Sequence, residues 1–543
     1  MLGILDWTVL ILTLAAVLAY GIYKSRSSHD LEGYLMGNHS MPWYLVLLGI
    51  MGTQASAITY LTGPGQAYSD GMRFVQYYFG LPLAMIVISI FFVPVYNKLR
   101  VYTAYEFLEQ RFDGRTRGLT AFLFLLSRGL STGISIFAPS LVLSSLMGWN
   151  IYYTNLVMGG LLIIYTMGGG ATAVAHTQKL QMIIIFASLM LVGWLALRLL
   201  PGDNALITAL TEAGKEAKLN IISFGNEKGQ FDWKDKYNIW SGLIGGFFLS
   251  LSYFGTDHSQ VGRYITAKDI RQSRMGLIMN GFVKIPMQVF ILLLGVLIFS
   301  FYRHASDAPV FFDTAKVERA MQTSLAPALQ QADLSFQQAC RQQDFEKADV
   351  IRKEYKSLLQ QALPGEEVND NNYVFLHFAI DQMPKGLIGL VLAIIFLSAW
   401  GSIAAALHSL AASSVVDFHK RYFSERNDPD HDYRLSRRYT LGWGLFCVIV
   451  AMFANNIGNS LIEAVNILGS IFYGVILGIF LVALFFKRIT AKPLFYAAIV
   501  SELAVLAIYF SDTISFLWLN AIGCILVLLM AYLLRILGVK DGK

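Results

Sequence analysis

Ionisable residues are scarce in this sequence. Only 14% of its 543 residues are Asp, Glu, Lys or Arg, against about 25% in a soluble domain, while 55% are hydrophobic. No soluble core buries apolar surface in that proportion, so the natural solvent of the chain is lipid. Cysteine is scarcer still. Cys340, Cys447 and Cys524 share no metal-ligand spacing, which leaves no disulfide framework to argue from. Basic clustering is absent as well: the net charge of +6 comes from Lys and Arg in short loops between apolar runs, with no continuous basic face for nucleic acid. The apolar runs hold no nucleophile–base pair and no metal cluster, so an enzyme is not expected. The first stretch, MLGILDWTVLILTLAAVLAYGIY, lacks a basic leader and carries Asp6. It reads as a first membrane helix rather than a cleaved signal peptide.

Long apolar runs are what the chain has in abundance. About thirteen are long enough to cross a bilayer as helices. They lie near 5–23, 43–63, 74–98, 119–147, 150–168, 180–200, 238–256, 275–302, 386–416, 439–457, 460–486, 493–511 and 513–536. Positive charge orients them. Lys24 and Arg26 follow the first span; Lys98, Arg100, Arg111, Arg115 and Arg117 the third; Arg263, Lys268, Arg271 and Arg274 the seventh. Lys420, Arg421, Arg426, Arg434, Arg437 and Arg438 follow the ninth, and Lys487, Arg488 and Lys492 the eleventh. All these loops share the inner side if the N-terminus is outside and the C-terminus inside, and the opposite short loops near 148–149 and 458–459 carry no Lys or Arg. Two long loops, 201–237 and 303–385, then fall outside. The second contains a Gly-free stretch with apolar residues at helical spacing, read as one or two amphipathic helices that form either a solvated insertion or an outer lid.

Some spans contain what a lipid-buried helix ordinarily avoids. Gly49–Gly65, GIMGTQASAITYLTGPG, combines Gly52, Gly63, Pro64 and Gly65 with Gln54, Ser56 and Thr59. A helix interrupted there frees backbone carbonyls, tolerated only against protein or a wet cavity. Freed carbonyls suit a small cation, and the polar side chains suit a solute; close helix packing is the alternative for any single small residue. A second run, Ser398-Ala399-Trp400-Gly401-Ser402, sets small and hydroxyl residues on one helical face, hard oxygen ligands fitted to sodium rather than magnesium. Lys284 sits inside an apolar helix, where a mid-bilayer charge costs roughly 2.5–3.5 kcal/mol; it is functional there or snorkels to the interface. Ser250, Ser252 and Tyr253 are candidates to line a cavity. Asp257 and Arg263 stand at the end of the seventh span, either as an ion-pair latch or as an exposed pair of little consequence.

These stretches carry a resemblance. MPWYLVLLGIMGTQASAITYLTGPGQAYSDG, VYTAYEFLEQRF, STGISIFAPSLVL, IIYTMGGGATAVAHTQKLQ, FGTDHSQVGRYITAKD and GFVKIP resemble the sodium:solute symporter family, which includes the sodium/glucose cotransporters, through most of the chain outside 303–385. The resemblance implies an all-α integral membrane protein of LeuT type with inverted five-helix repeats. Residues 1–42 would form an N-terminal helix and inner loop, 43–200 the first repeat, 201–237 an outer loop, 238–487 the second repeat with its 303–385 insertion, and 488–543 the C-terminal helices. It implies sodium held by backbone oxygens of Gly52, Ala55 and Ser398 and the Ser402 hydroxyl, with Gly401 where many members have a serine. It implies a solute site at Gln54, Ser56, Thr59, Tyr78, Tyr253, Lys284 and Asn466. Gating positions would be Asp257, Arg263 and Gln178, the last replacing a usual aspartate, with His176 where tryptophan is usual. The expected activity is sodium-coupled import of a small polar organic solute across the plasma membrane by alternating access, with no cofactor besides the coupling ion. A sugar is the first reading of the solute and a monocarboxylate or other anion the alternative. A transporter-like sensor is the rival class, disfavoured because the chain ends at LLRILGVKDGK with no signalling domain.

Overall fold

A computed structural model of the protein describes residues 2–25, 39–99, 101–168, 171–200, 204–225, 230–305, 308–366, 368–423, 429–454 and 460–539. Arg26, Arg100, Arg426 and the 458–459 turn, all used above to orient the chain, lie outside these. Among the described residues the chain is helical, with one isolated bridge between Met41 and Ala267. Lipid dictates this, since a helix pairs its own backbone groups where no water can. The principal helices are α1 (Ile4–Ser25), α2 (Trp43–Gln54), α3 (Ala57–Asp70), α4 (Gly114–Met147), α5 (Ile151–Gly168), α6 (Ala171–Leu199), α7 (Gly246–Gly255), α8 (His258–Ile265), α9 (Ile270–His304), α10 (Phe345–Ala362), α11 (Asn371–Gln382), α12 (Leu387–Ser413), α13 (Pro429–Phe453), α14 (Leu461–Phe485), α15 (Ala491–Phe510) and α16 (Phe516–Ile536). Each of the thirteen expected spans overlaps a helix, the third through the short helical pieces Leu81–Val87 and Val93–Leu99. Nine stretches among the described residues are long and apolar enough to cross a membrane by themselves, and Trp43–Gln54, Ile151–Met167 and Ser241–Gly255 are shorter apolar helices.

Two helices break in mid-course. After Gln54 the chain passes through Ala55 (ψ 79°) and the extended Ser56 (ψ 173°) before α3 begins. The break therefore lies at Ala55–Ser56, not at the glycines and proline that pointed to it. Gly52 is inside α2, and Gly63, Pro64 and Gly65 are inside α3, where their smallness serves packing. A Cβ on Gly65 would stand 1.9 Å from the Asn371 carbonyl oxygen, and one on Gly295 of α9 would stand 2.1 Å from that of Pro64. The second break follows α7: Thr256 leaves the helix, Asp257 is extended, and its Oδ1 accepts the Ser259 amide at 2.8 Å to cap α8.

Tertiary contacts sort the loops onto two faces. On one, Tyr96 and Tyr105 donate to the carbonyls of Gly255 and Thr256 at 2.7 and 3.1 Å, Arg117 pairs with Asp417 at 2.7 Å, and Arg111 donates to the Phe486 carbonyl at 3.3 Å. The basic loops after the third, seventh, ninth and eleventh spans thus gather together. On the other face Arg73 meets Asp235, Arg303 meets Glu216 and Lys236 meets Glu463, at 2.8, 2.8 and 2.9 Å. The start of α1 belongs there too, because Asp6 accepts the Gly386 amide at 2.5 Å.

The described part of 303–385 forms helices at Thr314–Ala320, Ala326–Arg341, α10 and α11, more than the one or two its spacing suggested, and it is docked rather than loose. Asp370 is fully buried, accepting from Arg352 at 3.1 Å, from Lys356 at 3.2 Å and from the Phe312 amide at 3.1 Å. Burial pushes its carboxyl up, but these partners outweigh burial and hold it below the usual aspartate value. Arg352 also reaches the Tyr68 hydroxyl of α3 at 2.6 Å.

Candidate functional site

The Ala55–Ser56 break is the origin of the site. In an unbroken helix the Ser56 amide would bond to the Gly52 carbonyl and the Thr59 amide to that of Ala55. Instead Ser56 donates to Gln54 and Thr59 donates to Ser56, both at 3.0 Å. The carbonyls of Gly52 and Ala55, two of the four expected sodium ligands, are thereby released from helical pairing. The end of α2 packs against α12, which carries the other two. Ser402 Oγ donates into its own helix, to the Ser398 carbonyl at 2.9 Å and that of Ala399 at 3.2 Å, leaving its lone pairs to face outward from that bond. Gly401 contributes differently from expectation, since its carbonyl accepts the Gln178 amide Nε2 at 3.1 Å. The same nitrogen donates to Thr53 Oγ1 at 3.2 Å. Gln178 of α6 therefore ties the broken helix to α12, and Gly52 makes room for it: a Cβ there would stand 3.0–3.2 Å from three Gln178 side-chain atoms.

Beside the break lies a cavity between α3, α4, α7 and α14. Of the seven expected solute residues, Gln54, Ser56, Thr59, Tyr78, Tyr253 and Asn466 line it. The seventh, Lys284, does not. It is fully buried in α9 behind Tyr78, its ammonium 5.5 Å from the centre of that ring and its Nζ without a hydrogen-bond partner among the described residues. Tyr77 donates to Asn466 Oδ1 at 3.0 Å across the cavity. At about 100 Å³ the space is well below the roughly 300 Å³ or more of an ordinary ligand pocket, so a sugar-sized solute enters only when the flanking helices part.

The cavity floor is an aromatic and polar lock. Tyr253 stacks on Tyr473 with ring centres 5.8 Å apart, and Gln260 Nε2 donates to the Tyr253 hydroxyl at 2.7 Å. Tyr473 donates to Asp257 Oδ2 at 2.8 Å, while Ser259 takes Oδ1. The expected Asp257–Arg263 ion pair is not formed. Asp257 is fully engaged by neutral donors, and Arg263, buried on α8, has no carboxylate partner among the described residues.

Among the lining residues that escaped the sequence reading, one is charged. Arg128 of α4 is 8% exposed, has no carboxylate partner among the described residues and keeps Nε unbonded. Its guanidinium carbon is 5.8 Å from the centre of the Tyr253 ring. The signal was available: an arginine fourteen residues into an apolar helix lies about 21 Å from its start and is as conspicuous there as Lys284.

A broken helix that frees main-chain oxygens, packed against a helix that carries Ser398 and Ser402 and bordered by a polar cavity, has the parts of an ion-coupled carrier. A model of the sodium:solute symporter family matches residues 34–330 and 354–501. The chain belongs to the sodium:solute symporter family. It is similar to the sodium/sialic acid symporter of Proteus mirabilis, 24% identical over 96% of this chain and 92% of that protein. It is likewise similar to sodium-coupled monocarboxylate transporter 1 of Xenopus laevis, 24% identical over 90% of this chain and 68% of that one. A solved sodium-coupled sialic acid symporter shares the fold, with a TM-score of 0.79 at 22% identity over 100% of this chain and 99% of the other. As a member of the family the protein is a multi-pass, sodium-coupled symporter of a small solute, not an enzyme. The residues the family model passes over, 331–353, fall within the 303–385 insertion.

Proposed function

We propose that this symporter uses sodium to import a small organic acid whose carboxylate pairs with Arg128. The observation that carries this reading is a buried arginine on the cavity wall that forms no direct ion pair among the described residues, the nearby Asp257 carboxylate being taken by Tyr473 and Ser259 instead. A buried cation is stable when paired, and a guanidinium offers a carboxylate two parallel hydrogen bonds. Tyr78 and Tyr253 supply faces for the C–H bonds of a sugar-like body, and Gln54, Ser56, Thr59 and Asn466 supply hydrogen bonds. The names of two relatives, sialic acid and monocarboxylate carriers, agree with an acid. Sodium would bind the released oxygens of Gly52 and Ala55 with Ser398 and Ser402, holding α2 against α12 in the state that admits solute.

The remaining expectations fit this reading. Both breaks fall in the first helix of a proposed repeat, the first in 43–200 and the second in 238–487, as inverted repeats require. We read the basic face as cytoplasmic, which puts the N-terminus and the insertion outside. Uptake into proteoliposomes under an inward sodium gradient tests the proposal. Labelled sialic acid, a short monocarboxylate and neutral glucose form the panel, and at least one acid should accumulate only with sodium. Sodium-driven accumulation of glucose, undiminished by excess of either acid, would overturn it in favour of a neutral sugar.

A further inference from the structure

Away from the solute cavity, a groove of about 560 Å³ opens where the start of α2 meets the first turns of α9. Its wall is apolar, formed by Trp43, Ile270, Met275 and Ile278, and Arg271 and Arg274 stand along it. Neither arginine forms an ion pair among the described residues, and both are exposed. The adjacent carboxylate, Asp269, is occupied as the cap of α9, accepting the Gln272 amide at 2.9 Å. Arg274 is steadied from behind, its Nε donating to the Ser89 carbonyl at 2.8 Å. At 35 residues α9 is about 52 Å long, longer than the roughly 30 Å of hydrocarbon. Its first turns therefore stand at headgroup level, with Met275 and Ile278 leading down into the acyl region. Trp43 is the residue type that settles at this boundary.

We propose that this groove is a binding site for an anionic phospholipid, its phosphate between Arg271 and Arg274 and an acyl chain along Met275 and Ile278. Charge complementarity selects the occupant. A soluble anion would gain nothing from the apolar wall, and a zwitterionic lipid would bring its own cation to two unpaired arginines. The floor of the groove is a stitch between the two helices, Gln272 Oε1 accepting the Trp43 amide at 2.8 Å. The lipid would thus sit against the first turn of the same short helix whose other end frees the Gly52 and Ala55 carbonyls.

Native mass spectrometry of the detergent-purified full chain tests this, with phosphatidylglycerol and phosphatidylcholine of identical chains as probes. One phosphatidylglycerol should be retained in preference to phosphatidylcholine. A basic residue near the surface is worth about 1 kcal/mol, so Arg271→Gln with Arg274→Gln should weaken retention about 30-fold. The lysine pair Arg271→Lys with Arg274→Lys should keep most of it, while Met275→Trp, which fills the groove and leaves the charge, should abolish it. Unchanged melting of each variant separates these effects from misfolding. Equal binding of the two lipids overturns the proposal, as does equal loss on Arg488→Gln, an exposed arginine outside the groove. Displacement by glycerol 1-phosphate at the concentrations at which phosphatidylglycerol binds also overturns it, because the acyl wall would then contribute nothing.

Discussion

Arg128 concentrates the functional argument in one side chain. A charge-assisted hydrogen bond contributes roughly 1.5–3 kcal/mol, so Arg128→Gln should raise the half-saturating concentration of the transported acid roughly 10- to 150-fold. Half-saturation by sodium should move far less, because the guanidinium is not among the proposed ion ligands. Ser402→Ala should do the reverse, raising the sodium requirement roughly tenfold or more by the same reckoning while solute affinity at saturating sodium is kept. Uptake titrated in both solute and sodium separates the two outcomes, and a common loss in both variants would deny that the sites are distinct. At this scale the sequence was a partial guide. Gln54, Ser56, Thr59, Tyr78, Tyr253 and Asn466 converge as expected because polar side chains in a lipid-solvated span have few places to go except a shared cavity. Lys284 obeys the same rule but finds burial behind Tyr78 instead, and a one-dimensional pattern does not tell the front of a tyrosine from its back. Asp257 and Arg263 are six residues apart, and no spacing rule reveals that Tyr473, more than two hundred residues away, takes the carboxylate first.

Short breaks and small residues do separate work in the helices. The dense Gly and Pro run correctly marked α2–α3 as unusual, yet the chain unwinds at Ala55–Ser56, where diverted amides free two carbonyls. The glycines instead set how closely neighbours approach. Gly65→Ala would place a methyl 1.9 Å from the Asn371 carbonyl oxygen and should destabilise the protein by about 1–3 kcal/mol, the usual cost of overpacking. Gly160→Ala in α5 meets nothing within 4 Å and should be neutral or stabilise by up to about 1 kcal/mol through helix propensity. Thermal melting in detergent compares them, and equal shifts would show that Gly65 is not a packing residue. The docking of α10 and α11 has a pH signature. Because Asp370 is held below its ordinary value in the fold, its contribution is complete above the unfolded aspartate pKa of about 4 and is lost as pH falls through the depressed value. Asp370→Asn leaves Arg352 without its carboxylate partner and should cost about 3 kcal/mol near neutrality. That deficit should shrink toward pH 3, whereas a pH-independent gap would remove the ionised carboxylate from the account.

For the whole molecule, the decisive property is that the two faces differ in charge and in bulk. Loops far apart in sequence collect on the basic face through Tyr96, Tyr105, Arg111 and Arg117, while the insertion, the 201–237 loop and the first turn of α1 collect on the other. Loop charges predicted this grouping because the short Lys- and Arg-rich loops fell on alternate turns of the chain, a constraint that survives errors of several residues in any span. The absolute direction follows from the membrane potential and the anionic inner leaflet rather than from packing, so it is the part to measure. Cys340, Cys447 and Cys524 are all buried, which leaves introduced thiols as the reactive ones. Glu354→Cys on α10 and Lys487→Cys after α14 replace exposed residues on the two faces. In intact cells a membrane-impermeant maleimide should label the first and spare the second until the membrane is opened. The opposite pattern would put Arg128 and the sodium site in a carrier facing the other way, and a sodium gradient would then drive the acid out rather than in.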